Sequence, residues 1–138
     1  MNFAIKAHIV DPQAKAFEFR AQKTMYGGKR ISAGDTVFIF ASENEGGPGL
    51  VAKGEVTAAS ATPKKSGVIR QTPRVSIKVK RNVLAQRRLG RDELKPHTDW
   101  KDGRPETELN FKFYRQATNK IVGISDMTAA FLEKYFRA

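Results

Sequence analysis

The 138-residue chain contains no cysteine. That excludes disulfides, thiolate nucleophiles, cysteine-ligated zinc and iron–sulfur clusters, and it leaves nothing to argue for an oxidising compartment. Long uninterrupted apolar runs are missing as well, so no membrane-spanning helix and no membrane partner are expected. The start, Met1 to Lys6, has no basic segment leading into an apolar stretch and a small-residue cleavage site; the expectation is no export signal and a cytoplasmic setting. Histidine is scarce: His8 and His97 lie far apart, neither in a metal-ligand spacing, so neither a metal nor another cofactor is expected. There is no GxSxG elbow, Walker loop or dinucleotide fingerprint. Gly46-Gly47-Pro48-Gly49 has the glycines of a phosphate cradle but no helix start behind it, and reads as a hairpin tip.

Carboxylates are absent from one long stretch, and this absence is the informative one. Overall the chain has 25 Lys and Arg against 14 Asp and Glu, a net charge of +11. Between Val56 and Arg91 there is no acid at all, but ten cations: Lys64, Lys65, Arg70, Arg74, Lys78, Lys80, Arg81, Arg87, Arg88 and Arg91. The remainder holds 15 basic against 14 acidic residues and is nearly neutral. An excess gathered in one region suits a face for a polyanion, and nucleic acid, DNA or RNA, is the expected partner. Edge strands also carry Lys and Arg to block pairing, but ten cations without an acid exceed that need. Lys64, Lys65, Arg70, Arg74, Lys78, Lys80, Arg87 and Arg88 are the candidate phosphate-holding residues. The oligomeric state is left open.

With 40% hydrophobic and 28% charged residues, the chain reads as one soluble domain over residues 1–138. Phe3, Ile5, Ala7 and Ile9 alternate with polar residues as a half-buried strand does, and Asp11-Pro12 ends it. The next segment fits two forms: a helix capped by Asp11 with Ala14, Phe17 and Ala21 as its stripe, or a strand over 18–22. Val37 to Ala41 is apolar on both faces and reads as a central strand. Residues 43–49, with three glycines and a proline, form a loop joining it in a hairpin to a strand over 50–61. After a turn at 63–67, Ile69, Val75, Ile77 and Val79 predict the apolar face of a strand whose other face is cationic. Residues 82–90 read as a short helix and 91–105 as a polar, irregular segment holding the one tryptophan, Trp100. Leu109, Phe111 and Phe113 alternate as in a strand, Ile121, Val122 and Ile124 give a last strand, and Ser125 caps a final helix. Met127, Phe131, Tyr135, Leu132 and Phe136 recur there at helical spacing. The fold class is α+β: a small mixed β-barrel of five to six strands with one or two flanking helices, one of them C-terminal.

Aromatics able to stack on a base are Tyr26 beside Gly27-Gly28, Trp100 and Tyr114; Phe38, Phe40, Phe111 and Phe113 belong to the core, and His8 lies on the polar side of its strand.

The run Lys29-Arg30-Ile31-Ser32-Ala33-Gly34-Asp35 leads into Thr36-Val37-Phe38-Ile39-Phe40-Ala41-Ser42 and, after a loop, Gly49-Leu50-Val51-Ala52-Lys53-Gly54-Glu55-Val56. With Ile124-Ser125-Asp126 opening the final helix, this resembles the PUA-like superfamily, particularly its EVE branch. Lys15-Ala16-Phe17-Glu18-Phe19-Arg20 looks like the K-x-x-E-x-R core of the related ASCH branch, with Gln13 where a glycine is usual. The resemblance covers most of residues 1–61 and 107–138. It implies a mixed barrel with a pocket between strands that holds a nucleobase, often modified, flipped from DNA or RNA. By position Tyr26, Phe40 and Ser42 would lie near that pocket, with Trp100 a further candidate. EVE proteins usually have an early tryptophan and a Tyr-His-Ser strand end, where this chain has Phe40-Ala41-Ser42.

The leading expectation is therefore a non-catalytic reader, with phosphates on the basic residues and one base in an aromatic-lined pocket. Two others stand beside it: an ASCH-like hydrolase acting on modified nucleosides or RNA through Lys15, Glu18 and Arg20, and a basic module for a small ligand or a protein.

Overall fold

A computed structural model describes residues 1–137. Its strands are β1 (Asn2–Ala7), β2 (Ala16–Met25), β3 (Thr36–Ala41), β4 (Gly49–Ala61), β5 (Arg74–Leu84) and β6 (Lys120–Gly123). They close into a barrel in the order β1-β3-β4-β5-β2-β6, with β6 bonded to both β1 and β2. The β1–β3 and β2–β6 pairs are parallel and the others antiparallel. Closure removes free sheet edges, so edge protection no longer accounts for the cations of β5.

Two apolar layers result from strand alternation. Phe3, Ile5, Val37, Ile39, Ile77 and Ile121 point inward and fill the barrel. Ala4, Phe38, Phe40 and Val122 point outward, yet are buried under Leu94, Leu109, Phe113 and Leu132 of the helical layer. Covered on both sides, β3 has to be apolar throughout, as its sequence is. Gly28 lets the turn after β2 lie against the Ile121 backbone, where a Cβ would collide with the carbonyl.

The helices are α1 (Arg91–Leu94), α2 (Pro105–Leu109) and α3 (Asp126–Glu133). Ser125 caps α3 as expected, its Oγ accepting the Thr128 N–H at 3.1 Å. Leu132 supplies the buried face together with Thr128 and Ala129, whereas Met127 is 63% exposed and no part of it.

Three other expectations change, and one two-way reading is decided. The segment after Asp11-Pro12 takes its strand form, because β5 offers Phe17 and Phe19 partners in Val79 and Ile77. The basic strand begins at Arg74 rather than near Ile69: residues 62–73 are irregular, Pro73 can donate no ladder bond, and Ile69 is fully exposed. The helix expected over 82–90 is absent; β5 continues to Leu84, opposite Ala52, and the helix starts at Arg91. Residues 109–113 are helical, not extended. Pro105 starts α2, which runs into one π-helical turn at Asn110–Tyr114. Leu109 and Phe113 stand one turn apart in the buried layer, and Phe111 remains outside, so the alternation had a second explanation.

Candidate nucleic-acid interface

The parallel β1–β3 pair and the antiparallel β1–β6 pair bring the ends of β1 and β3 and the start of β6 to one end of the barrel, where Lys6 stands beside both Phe40 and Lys120. The start of β5 joins them there, with Arg74 opposite Lys23. At this mouth β2 bulges between Phe19 and Gln22, and Ala21 takes a left-handed φ of 47°. Such a conformation costs a non-glycine residue about 1–2 kcal/mol and needs support. The Ala21 N–H donates to Ser76 Oγ at 2.9 Å, and its carbonyl accepts from the Arg74 guanidinium at 2.8 Å. The bulge leaves a cavity of about 320 Å³ lined by Ala21, Lys23, Ser42, Glu45, Arg74 and Asn119.

Ser42 is 2% exposed. Its N–H donates to the Ala7 carbonyl and its own carbonyl accepts from Glu45 and Gly47, but among the described residues its hydroxyl has no partner. Asn119 Nδ2 donates to Glu45 at 2.7 Å, leaving Asn119 Oδ1 free as an acceptor; His8 pairs with the same carboxylate at 3.4 Å. Below the rim, buried Lys120 donates to the carbonyls of Gln116 and Thr118, both at 3.0 Å, pinning the loop that carries Asn119. Burial, with the charges of Lys6 and Lys23, lowers the Lys120 pKa to about 8. Buried Lys6 donates to the Phe113 carbonyl at 2.8 Å and lies over the Tyr114 ring; burial lowers its pKa too. The Tyr114 hydroxyl donates to Glu43 at 3.0 Å, and burial, reinforced by that carboxylate, holds its pKa far above the usual phenol value. Tyr114 is thus a packed, engaged side chain with no ring face for a base.

Beside the mouth lies a second cavity of about 540 Å³, lined by Lys29, Lys64, Lys65, Val68, Gln71 and Arg74. Arg74 belongs to both. Lys23, Lys29, Lys64, Lys65 and Arg70 form no ion pair among the described residues.

The rest of the basic stretch is dispersed. Lys78 stands opposite Glu18 and Lys80 opposite Glu55 in register, so the strand without acids has acids across the ladder, although neither lysine closes to an ion pair among the described residues and Glu18 pairs with Arg20 instead. Arg81 donates to the Gln13 carbonyl at 2.6 Å. Arg87 bonds the Lys134 carbonyl and covers the Tyr135 ring, Arg88 lies 3.7 Å from Glu93, and Arg91 donates to Asn44.

The expected pocket residues separate likewise. Phe40 is fully buried against Phe113, with ring centroids 5.2 Å apart, and lines neither cavity. Tyr26 and Trp100, 42% and 44% exposed, meet around Phe111, where Arg115 covers both Trp100 and Phe111. Only Ser42 of the four lines the mouth. Glu18 and Arg20 form an exposed pair at 3.0 Å on the outer wall, and among the described residues Lys15 forms no ion pair with Glu18. Among the described residues no three His, Asp or Glu side chains gather to hold a metal, and no helix is long and apolar enough to cross a membrane.

No family model matches the chain, and no curated protein does. Solved structures do. The DUF55 domain of human thymocyte nuclear protein 1 superposes with a TM-score of 0.64 over 97% of both chains at 13% identity. The chain has the DUF55 fold. A human THYN1 structure in complex with DNA containing 5-methylcytosine gives a TM-score of 0.65 at 14% identity, over 99% of this chain and 98% of that one. A Pseudomonas putida protein gives 0.63 at 15% identity, over 99% and 100%. In this DUF55-type barrel, sequence reasoning missed Lys23, Lys29, Glu45 and Asn119. No local signal marks them, since strand register and the turn before β6 bring them to the mouth.

Proposed function

We propose that this chain is a nucleic-acid-binding module that seats one plain or modified base at the barrel mouth and holds the flanking phosphates with Lys23, Lys64, Lys65, Arg70 and Arg74. The carrying observation is the mouth cavity itself: lined by Ser42, whose hydroxyl has no hydrogen-bond partner among the described residues, and by Lys23 and Arg74, with Lys29, Lys64 and Lys65 around the adjoining cavity. Ser42 can donate or accept, and Glu45 with Asn119 Oδ1 offers acceptors for the exocyclic amine of cytosine or adenine. The lysines and arginines position the strand without reading its sequence. Support for a modified base comes from the human THYN1 protein, which shares the fold and was solved with 5-methylcytosine-containing DNA.

The test is a fluorescence titration across salt concentrations with single- and double-stranded DNA and RNA, each with cytosine or 5-methylcytosine. A steep salt slope with preference for one base is the expected outcome. No binding at low salt overturns the proposal.

A further inference from the structure

The loop over residues 62–73 has no regular secondary structure, yet its tip is ordered by a single side chain. Gln71 Oε1 accepts the Lys65 N–H at 2.9 Å, while Gln71 Nε2 donates to the Lys65 carbonyl at 2.8 Å and the Val68 carbonyl at 3.1 Å. Gly67, at φ 80°, turns the chain inside this clamp. The clamp holds out Ile69, the one large apolar side chain of the described residues that is wholly exposed, with Val68 half exposed beside it. Water contact over a whole isoleucine is unfavourable by about 1.5–3 kcal/mol relative to burial. Lys64 and Lys65 precede it in the loop and Arg70 follows it directly, with no acid from Val56 to Arg91. The base of the loop is tied to the mouth: Thr62 N–H donates to the Arg74 carbonyl, and Thr24 to the Pro73 carbonyl.

A duplex that yields a base to a pocket is left with a gap in its stack, and proteins that deform DNA fill such steps with apolar side chains flanked by phosphate-binding cations. We infer that Ile69 is a wedge: it enters the base stack of a duplex while the extruded base occupies the mouth beside Ser42. The inference rests on the base-seating reading above and adds double-stranded nucleic acid as the substrate class. Cations around an isolated isoleucine suit phosphates on either side of a base step better than they suit an apolar protein surface, whose contact would leave them desolvated.

The test uses the full chain and a duplex with one 5-methylcytosine next to 2-aminopurine, whose fluorescence rises on unstacking, alongside the same strand alone. Wild type should give the rise with the duplex. Ile69→Ala should lose about 10-fold in duplex affinity and most of the rise, with single-strand affinity unchanged. Ile69→Phe should restore both; because the position is fully exposed, neither change threatens folding. Equal effects of Ile69→Ala on duplex and single strand, or none, overturn the wedge while wild-type base preference keeps the mouth reading intact. Wild-type protein without base preference on either substrate overturns both.

Discussion

Two pairs of substitutions that remove the same charge should have different effects on the salt dependence of binding. Lys65→Ala with Arg70→Ala clears two unpaired cations from the loop beside the mouth. Lys78→Ala with Lys80→Ala clears two cations that already face Glu18 and Glu55 across the barrel wall. Each phosphate contact contributes about 0.9 to the slope of log K against log salt on duplex DNA and about 0.7 on a single strand. The loop pair should therefore lower the slope by about 1.8 on duplex and about 1.4 on single strand, if each side chain meets one phosphate. Between 50 and 200 mM salt, a slope lower by 1.8 means that affinity falls about 12-fold less than in wild type. The wall pair should lower it by less than about 0.5, since Lys78 and Lys80 line neither the mouth nor the cavity beside it. Fluorescence anisotropy at four or more salt concentrations measures both slopes. Because net charge drops from +11 by two in each variant, a general charge effect predicts equal changes. Equal changes, or a larger effect at Lys78 and Lys80, would refute the location of the interface.

Ser42→Ala should remove base preference, at a cost of about 1 kcal/mol in the preferred complex, with little change in urea stability, because among the described residues the hydroxyl has no hydrogen-bond partner. Trp100→Ala should leave that preference intact, since Trp100 lies at Phe111, away from the mouth; loss of preference would restore the expectation that Trp100 lines the pocket. Lys120 has a folded pKa of about 8 against 10.5 ordinarily, so between those values the unfolded state binds more protons and stability rises with pH; below 8 its burial penalty is constant. The melting temperature of wild type relative to Lys120→Met should climb from pH 8 to 10, worth at most about 3 kcal/mol, and a flat difference would contradict the lowered value. Phe113→Ala should cost about 3–5 kcal/mol in urea unfolding, because it empties the layer between Phe40 and the helices.

Much of the barrel was legible because its signals are local. A both-faced apolar run at 37–41, the glycine-rich tip before Leu50 and the Ser125 cap each reside in contiguous residues, and each became the expected element. Where two periods fit the same residues, the sequence was ambiguous. Leu109, Phe111 and Phe113 suit a strand's alternation, but Leu109 and Phe113 also lie one helical turn apart, and packing under β3 selected the helix.

By itself the sequence determined the fold class, the central strand, the absence of thiol chemistry and a regional excess of positive charge, because composition and periodicity belong to neighbours along the chain. Which cations reach the mouth, and which stand on the wall opposite acids, was decided only in three dimensions. Glu18 lies far ahead of the basic stretch and Glu55 at its border, yet antiparallel pairing brings them opposite Lys78 and Lys80. The mouth was a tertiary outcome too: barrel closure brings Ser42, Asn119 and Arg74 together from three distant segments, and a two-residue irregularity in β2 opens the space between them. Register and closure are set by contacts summed over the whole barrel, so no window along the chain contains them.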